Sequence, residues 1–135
     1  MHILFLCVAN SARSQMAEGL ARSMAPKGVR VSSAGSVPSS VRPEAISALL
    51  EIGIDIRDHR SKGTSEFSSD DVDLIVTLCA EEACPVELLG VERQHWPVTD
   101  PATDSGSLEE RLDRFRVARD TLAERLRSHF QSARD

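Results

Sequence analysis

The stretch Cys7-Val8-Ala9-Asn10-Ser11-Ala12-Arg13-Ser14 decides how the rest of the chain is arranged. It follows the apolar run Ile3-Leu4-Phe5-Leu6 and precedes a helical pattern that continues through residues 15–25. A thiol therefore stands at the end of a predicted strand, with an arginine six residues further on, where a helix begins. In such a loop successive backbone N–H groups point at one spot, and the helix N-terminus adds a partial positive charge. The stretch predicts a cradle for a tetrahedral oxyanion directly over a nucleophilic sulfur.

Individual positions of this loop have expected roles. We expect Arg13 to bind two oxygens of the anion with its forked guanidinium. The hydroxyl of Ser14 can donate to the Cys7 thiolate and stabilise it, and the side chain of Asn10 can hold a tight loop open through bonds to the backbone. No Gly-Lys-Ser/Thr follows, so the loop is not a nucleotide P-loop. The other cradle positions would contribute backbone N–H groups: Val8, Ala9, Ser11 and Ala12.

Length and composition favour one globular domain over residues 1–135, because 41% of the residues are hydrophobic and 27% are charged. The net charge of −5 argues against a general partner among nucleic acids or anionic membranes. The N-terminus lacks a basic leader, and no apolar stretch approaches the ~18 residues of a membrane span, so we expect a cytoplasmic protein. In that compartment the three cysteines are better explained by catalysis, redox chemistry or simple burial than by a permanent structural bridge.

The hydrophobic pattern predicts the element order β-α-β-α-β-β-α. The predicted strands are 2–8, 29–34, 73–78 and 94–98, and the predicted helices are 12–25, 43–52 and 108–130. Pro97 marks the last strand as an edge strand. This order predicts an α/β fold with a small four-stranded, mostly parallel sheet flanked by helices on both faces. Ligands bind such folds outside the carboxyl ends of the strands, where Cys7 and Cys79 are both expected.

Other chemistry-bearing residues do not suggest a second site. Cys79, Cys84 and His95 offer at most three zinc ligands, without a second Cys-x-x-Cys, so no zinc site is predicted. The remaining histidines are predicted to be surface or loop residues: His2, His59 and His129. The alternating charges of residues 109–127 predict a solvated helix face.

Further motifs carry a resemblance to a known family. Cys7-x5-Arg13-Ser14, followed far downstream by Asp100-Pro101, resembles the low-molecular-weight protein tyrosine phosphatase fold. Within that fold, the residues from Asn10 to Glu18, Val76-Thr77-Leu78-Cys79 and His95-Trp96-x4-Pro101-Ala102 resemble the arsenate reductases. The resemblance covers nearly the whole chain. It implies that Asp100 is the general acid that protonates the departing oxygen.

Phosphatase and reductase differ in what surrounds the shared loop. Asp100-Pro101 is followed by Ala102, the chain has no tyrosine, and aromatic residues make up only 4% of it. Few aromatic side chains are therefore available to line a cleft for a phosphotyrosine ring. A phosphatase also has no use for a redox pair, whereas Cys79-x4-Cys84 resembles the redox segment of three-cysteine reductases. A phosphatase acting on a small phosphoester stays as the alternative, together with a non-catalytic oxyanion-binding or redox-sensing module.

The resemblance implies a complete reaction. Cys7 forms a thiolate–arsenic adduct, a Cys7–Cys79 disulfide forms as arsenite leaves, and Cys84 then moves the disulfide to Cys79–Cys84. Thioredoxin is the implied reductant, with glutaredoxin and glutathione as the alternative. No tightly bound cofactor is implied, phosphate or sulfate should mimic arsenate, and we expect a monomer.

The resemblance also concerns a cation. Some members bind potassium behind the anion loop through residues that match Asn10, Glu18 and Ser33, with an aspartate in the region of Lys62. Because a lysine stands there in this chain, we expect no potassium site. We expect the Lys62 ammonium to lie near Glu18 instead.

Overall fold

The computed structural model describes residues 1–79, 88, 90–103 and 105–134. For residues 132–134 it describes the backbone alone. Its strands are β1 (His2–Cys7), β2 (Arg30–Gly35), β3 (Leu74–Cys79) and β4 (Glu92–Val98). Its α-helices are α1 (Arg13–Met24), α2 (Pro43–Leu50) and α3 (Leu108–Arg134). Each predicted element is present, with ends shifted by a few residues.

The four strands form one sheet in the order β2-β1-β3-β4, and all three neighbouring pairs are parallel. Central β1 and β3 are buried along their whole length, as expected for continuous apolar runs between two covered faces. β4 lies at the edge, where Pro97 removes no bond from a central ladder. The parallel arrangement brings the ends of β1 and β3, and therefore Cys7 and Cys79, to the same edge of the sheet.

The larger apolar core lies between the sheet and the three helices. All three α-helices contribute to it, including Met16 and Leu20 from α1, Leu49 from α2 and Phe115 from α3. Gly19 permits the close approach of α1 and the segment after α2, because a Cβ there would lie 2.7 Å from the Ile56 side chain. The core thus fixes the start of α1, which carries the arginine of the loop.

The opposite face of the sheet carries a smaller apolar cluster that includes Leu4, Leu6, Ile75 and Leu88. Among the described elements, no helix covers this face. The four-stranded parallel α/β architecture is confirmed, and the three described α-helices contribute to the larger core.

Two predictions about polar residues were wrong. His2 is 4% exposed, because its ring hydrogen-bonds the Asp71 carbonyl oxygen and the Ser32 hydroxyl. Arg119, expected on a solvated helix face, is 9% exposed and donates to the Ala48 carbonyl at 2.9 Å. Each makes contacts to residues distant in the sequence, which local charge patterns do not encode. Across the described helices, none combines the length and apolar character needed to cross a membrane.

Candidate active site

The loop between β1 and α1 is held by the side chain of Asn10. This residue is fully buried and has a φ of 48°, an uncommon value for a residue other than glycine. Its Oδ1 accepts from Gln15 Nε2 and from the Lys62 backbone N–H, both at 2.9 Å. Its Nδ2 donates to the Ser14 and Ser33 hydroxyls at 2.8 and 3.0 Å. With both amide ends bonded, Asn10 fixes the curvature of the loop. Three of these four partners are side chains, and the fourth is a backbone group distant in the sequence, whereas bonds to the loop backbone were expected.

The loop also packs closely against the end of β2. A Cβ at Gly35 would lie 2.7 Å from the Asn10 nitrogen and would overlap the Val8 carbonyl oxygen. That carbonyl accepts a hydrogen bond from the Val37 N–H at 2.9 Å. Only glycine fits at position 35, and its absent side chain lets the loop lie directly on the neighbouring strand.

The thiol of Cys7 lies at the base of this loop, buried and free. Its sulfur is 2.8 Å from the Ser14 hydroxyl oxygen. Because Ser14 Oγ already accepts a hydrogen bond from Asn10 Nδ2, its own proton is available to Cys7. A donor at this distance stabilises the thiolate over the thiol.

Arg13 begins α1 and is only 4% exposed. Its Nη1 donates to the carbonyl oxygens of Val98 at 3.0 Å and Leu78 at 3.4 Å, and its Nη2 lies 3.8 Å from Asp100 Oδ2. The ends of β3 and β4 therefore hold the guanidinium in place. Preorganisation of this kind avoids part of the entropy cost of ordering a long side chain around a ligand.

The two strand ends are irregular at the point where Arg13 meets them. Thr77 pairs with His95, but Cys79 pairs with Val98, so two steps along β3 match three along β4. An extra residue in one strand bends it and re-aims its carbonyl groups. The Leu78 and Val98 carbonyls that accept from Arg13 lie at this irregularity.

Asp100 follows β4 and faces the loop. Its Oδ1 accepts from the Ala102 N–H at 3.0 Å, which fixes the carboxyl group, and its side chain is 41% exposed. A cavity of about 360 Å³ joins Asp100 to the loop and has the following lining residues: Cys7, Val8, Ala9, Ser11, Ala12, Arg13 and Asp100. The structure thus brings the thiol, the arginine and the carboxyl group to one opening large enough for a tetrahedral oxyanion.

The second cysteine ends β3 and is 2% exposed. Cys79 is disulfide-bonded, whereas Cys7 is a free thiol. Cys84, which the sequence predicts to be the third redox residue, lies outside the described residues.

A cluster of charges lies behind the loop, around the 4% exposed Glu18. Burial alone would raise the pKa of Glu18, but the hydrogen bond from Ser33 and the positive charges of Lys62, His59 and Arg22 outweigh it and hold the pKa below its usual value. The Ser33 hydroxyl donates to Glu18 Oε1 at 2.8 Å, and the Lys62 ammonium lies 3.6 Å from the same oxygen. Glu18 is therefore ionised at neutral pH.

Sequence reasoning missed His59 and Gln15, which brace the loop from behind. Gln15 is fully buried, and its Nε2 donates to Asn10, so its Oε1 must accept from His59 Nδ1 at 3.0 Å. Burial is the main reason why the pKa of His59 is lowered, and the Arg22 charge adds to this effect while Glu18 opposes it. His59 lies in a loop, as predicted, but its side chain is only 8% exposed. The sequence did contain one indication of this support. Gln15 directly follows the loop and lies on a helix turn that packs into the core, so its side-chain amide needs buried partners.

The oxygen atoms behind the loop do not fit a potassium ion. Hard cations need oxygen lone pairs directed at one point. Here Asn10 Oδ1 accepts two N–H groups, Ser33 Oγ accepts from Asn10, and Glu18 faces the ammonium of Lys62. Elsewhere in the described residues, no group of three or more His, Cys, Asp and Glu side chains converges as metal ligands would.

Comparison with known proteins agrees with this geometry. Residues 2–134 match the family model described as low molecular weight phosphotyrosine protein phosphatase. An arsenate reductase of Bacillus subtilis (strain 168) is 38% identical over 134 residues, covering 98% of this chain and 96% of that protein. A solved structure of an arsenate reductase in the phosphate binding state has a TM-score of 0.82 and 33% identity, covering 97% of both chains.

Two further solved structures of similar fold are named for different activities. The thioredoxin-dependent arsenate reductase Cg_ArsC1′ of Corynebacterium glutamicum has a TM-score of 0.69 and 27% identity, covering 97% of this chain and 60% of that one. The YwlE arginine phosphatase, solved as a C7S mutant with a phosphorylated active-site serine, has a TM-score of 0.77 and 28% identity, covering 100% of this chain and 97% of that one. On the match over residues 2–134 and the 38% identity to a curated relative, this chain belongs to the low-molecular-weight phosphotyrosine protein phosphatase family.

Proposed function

We propose that this protein reduces arsenate to arsenite. The observation that carries the proposal is the convergence of Cys7, Arg13 and Asp100 on one cavity of about 360 Å³. The relatives at 38–40% identity named arsenate reductase support the choice of substrate. Arsenate is a tetrahedral oxyanion of the size that such a loop holds.

The first step uses the residues of the cavity. The Cys7 thiolate attacks arsenic while Arg13 and the backbone N–H groups of residues 8–12 hold the arsenate oxygens. Asp100 gives a proton to the departing oxygen, which leaves as water. The product is a Cys7 sulfur–arsenic(V) adduct, and no electrons have yet been transferred.

The second step supplies the two electrons. The thiolate of Cys79 attacks the Cys7 sulfur, the sulfur–arsenic bond breaks, and its electron pair stays on arsenic, which leaves as arsenite. A Cys7–Cys79 disulfide has formed. Cys84 then attacks Cys79, which releases the Cys7 thiolate and leaves a Cys79–Cys84 disulfide. The position of Cys79 at the same sheet edge as Cys7 supports this order of events.

Thioredoxin is the proposed reductant. Its dithiol reduces the Cys79–Cys84 disulfide by exchange and is itself oxidised to a disulfide. The family member from Corynebacterium glutamicum that is named thioredoxin-dependent supports this proposal. A glutaredoxin and glutathione system is the alternative, which requires only Cys7 of the three thiols. We further propose that residues 1–135 act as a single-domain monomer, with no tightly bound cofactor, which size-exclusion chromatography with light scattering would test.

A phosphatase is the second candidate, because the arginine phosphatase of similar fold was solved as a C7S mutant with a phosphorylated active-site serine. A thiol, an arginine and a carboxylic acid are sufficient for phosphoester hydrolysis. That reaction gives no function to Cys79 or Cys84. Turnover of p-nitrophenyl phosphate that survives Cys79→Ser unchanged would measure this activity separately.

The test of the proposal is multiple turnover with thioredoxin, thioredoxin reductase and NADPH. We expect arsenate-dependent NADPH oxidation by the wild type and none by Cys7→Ser, Cys79→Ser or Cys84→Ser, because every cycle requires all three sulfurs. Cys84→Ser should complete one cycle only. Full activity of Cys84→Ser with glutaredoxin and glutathione would assign the alternative reductant, and activity of Cys7→Ser would contradict the proposal.

A further inference from the structure

A buried negative charge lies behind the anion loop and is connected to Asn10 through Ser33. The Glu18 carboxylate is on α1, in the turn that follows Arg13, and is 4% exposed. Both the Cys7 thiolate and a bound oxyanion are negative, so an uncompensated carboxylate at this depth opposes them. The site therefore requires a positive charge close to Glu18.

Hydrogen bonds connect this carboxylate to the nucleophile. Ser33 donates its proton to Glu18, which leaves its oxygen to accept from Asn10 Nδ2 at 3.0 Å. Asn10 Nδ2 also donates to Ser14 Oγ, and Ser14 lies 2.8 Å from the Cys7 sulfur. Because Asn10 Nδ2 can only donate, Ser14 keeps its own proton for Cys7 whatever the charge of Glu18. Glu18 therefore acts on the thiolate and on a bound oxyanion through its negative charge.

Lys62 is built into the same structure. Its backbone N–H donates to Asn10 Oδ1, so the residue that carries the ammonium also fixes the loop. Its ammonium lies 3.6 Å from Glu18 Oε1 and donates to the Arg60 carbonyl at 3.3 Å. Only 14% of the Lys62 side chain is exposed, against 54% for Arg22, whose charge is therefore more strongly screened by water.

The choice of lysine is unusual for this chain. Its sequence contains only two lysines, Lys27 and Lys62, and every other cationic side chain is an arginine except for the histidines. An ammonium is a compact point charge without the planar fork of a guanidinium, and it resembles a small monovalent cation in charge and shape.

We propose that Lys62 is an internal cation that offsets Glu18 and so maintains the oxyanion affinity of the loop and the reactivity of Cys7. It takes the place of a bound monovalent ion, because its ammonium lies beside Glu18 Oε1, where such an ion would have to be held, and both accepting positions of Asn10 Oδ1 are used by N–H groups. This inference rests on the proposed role of the loop as an oxyanion site. It makes Lys62 a positioning residue that acts through the charge of Glu18 and, by its backbone N–H, through Asn10.

The test compares Lys62→Met with Lys27→Met as the matched control. Binding of inorganic phosphate is measured by calorimetry, and alkylation of Cys7 is measured with iodoacetamide, on the fully reduced proteins. Both measurements are made in tetramethylammonium chloride and in potassium chloride at equal ionic strength. We expect wild type and Lys27→Met to behave alike in the two salts. Lys62→Met should bind phosphate about tenfold more weakly in tetramethylammonium chloride, the size of effect expected for one nearby charge.

A second variant, Lys62→Asp, adds an oxygen ligand where the ammonium was. Its phosphate affinity and melting temperature should rise with potassium but not with tetramethylammonium, since potassium can now replace the lost charge. The inference would be overturned if Lys62→Met bound phosphate as tightly as the wild type in tetramethylammonium chloride. It would also be overturned if Lys62→Asp had the same phosphate affinity and melting temperature in the two salts. Absence of phosphate binding by the wild type would instead contradict the oxyanion role of the loop, and the inference with it.

Discussion

Arg13 donates a hydrogen bond to the carbonyl oxygen of Leu78, the residue that immediately precedes Cys79. The same guanidinium nitrogen donates to Val98, two residues before Asp100. The side chain proposed to bind the oxyanion therefore also ties the loop to the strand ends that carry the second cysteine and the acid. Anion binding and the placement of Cys79 depend on one buried group.

Replacement of Arg13 by lysine should damage both functions. A lysine keeps the positive charge but has no planar fork, so it cannot hold two strand carbonyls and two anion oxygens together. We expect kcat/KM for arsenate to fall by a factor on the order of 10²–10³, with the rate of Cys7–Cys79 disulfide formation reduced as well. Rapid-quench analysis of single turnovers measures both. Normal disulfide formation from a saturated adduct in Arg13→Lys would show that the Leu78 bond has no positioning role.

Ser14 should control the reactivity of Cys7. Removal of its hydroxyl in Ser14→Ala leaves the sulfur without the 2.8 Å partner that stabilises the thiolate. We expect alkylation of Cys7 at neutral pH to slow about tenfold. Ser23→Ala is the control, because Ser23 is on the same helix but its hydroxyl donates to Leu20. Equal rates for Ser14→Ala and the wild type would contradict the hydrogen-bond direction inferred here.

Gly35→Ala should distort the anion loop. The new methyl group would overlap the Val8 carbonyl and lie 2.7 Å from the Asn10 nitrogen, so backbone must move. We expect a loss of stability of about 1–3 kcal/mol and a marked loss of phosphate affinity. Gly63→Ala is the matched control, since its nearest atom would be 3.6 Å away, an ordinary contact. Similar phosphate affinities for the two variants would show that the loop tolerates displacement at β2.

Stability should fall in two steps as the pH is lowered. The pKa of His59 is below its ordinary 6.5, so between these values the unfolded chain binds more protons and the free energy of unfolding decreases on acidification. Glu18, with a pKa below its ordinary 4.5, has the same sign at lower pH. His59→Gln should remove only part of the loss of stability that begins near pH 6.5. The rest remains because burial also lowers the pKa of His129, which therefore contributes to the same step. Urea unfolding from about pH 8 to about pH 2.5 covers both steps, and stability that increases on acidification below about pH 6 would contradict the prediction.

The sequence was sufficient to predict the sheet and the cavity. Continuous apolar runs were enough to predict β1 and β3, each of which ends at a cysteine. Because the carboxyl ends of neighbouring parallel strands lie at the same edge of a sheet, Cys7 and Cys79 were expected at one edge. The Cys7-x5-Arg13 spacing fixed the loop between strand and helix. These features depend on residues that are close in sequence.

The supports behind the site were not predictable in the same way. His59 reaches Gln15 across 44 residues, and Arg119 reaches Ala48 across 71. Such contacts depend on how helices and loops pack after the sheet has formed, and neither hydrophobic periodicity nor a motif encodes them. The Lys62–Glu18 pair was expected only through the family resemblance.

The central claim is that arsenate receives two electrons from thiols of this chain, beginning at Cys7. The most direct measurement mixes the fully reduced protein with arsenate in the absence of any reductant, and then counts arsenite and remaining thiols. We expect one arsenite released and two thiols lost per chain, and neither change in Cys7→Ser. Unchanged arsenate with all thiols retained in the wild type, or arsenite formed by Cys7→Ser, would contradict the account.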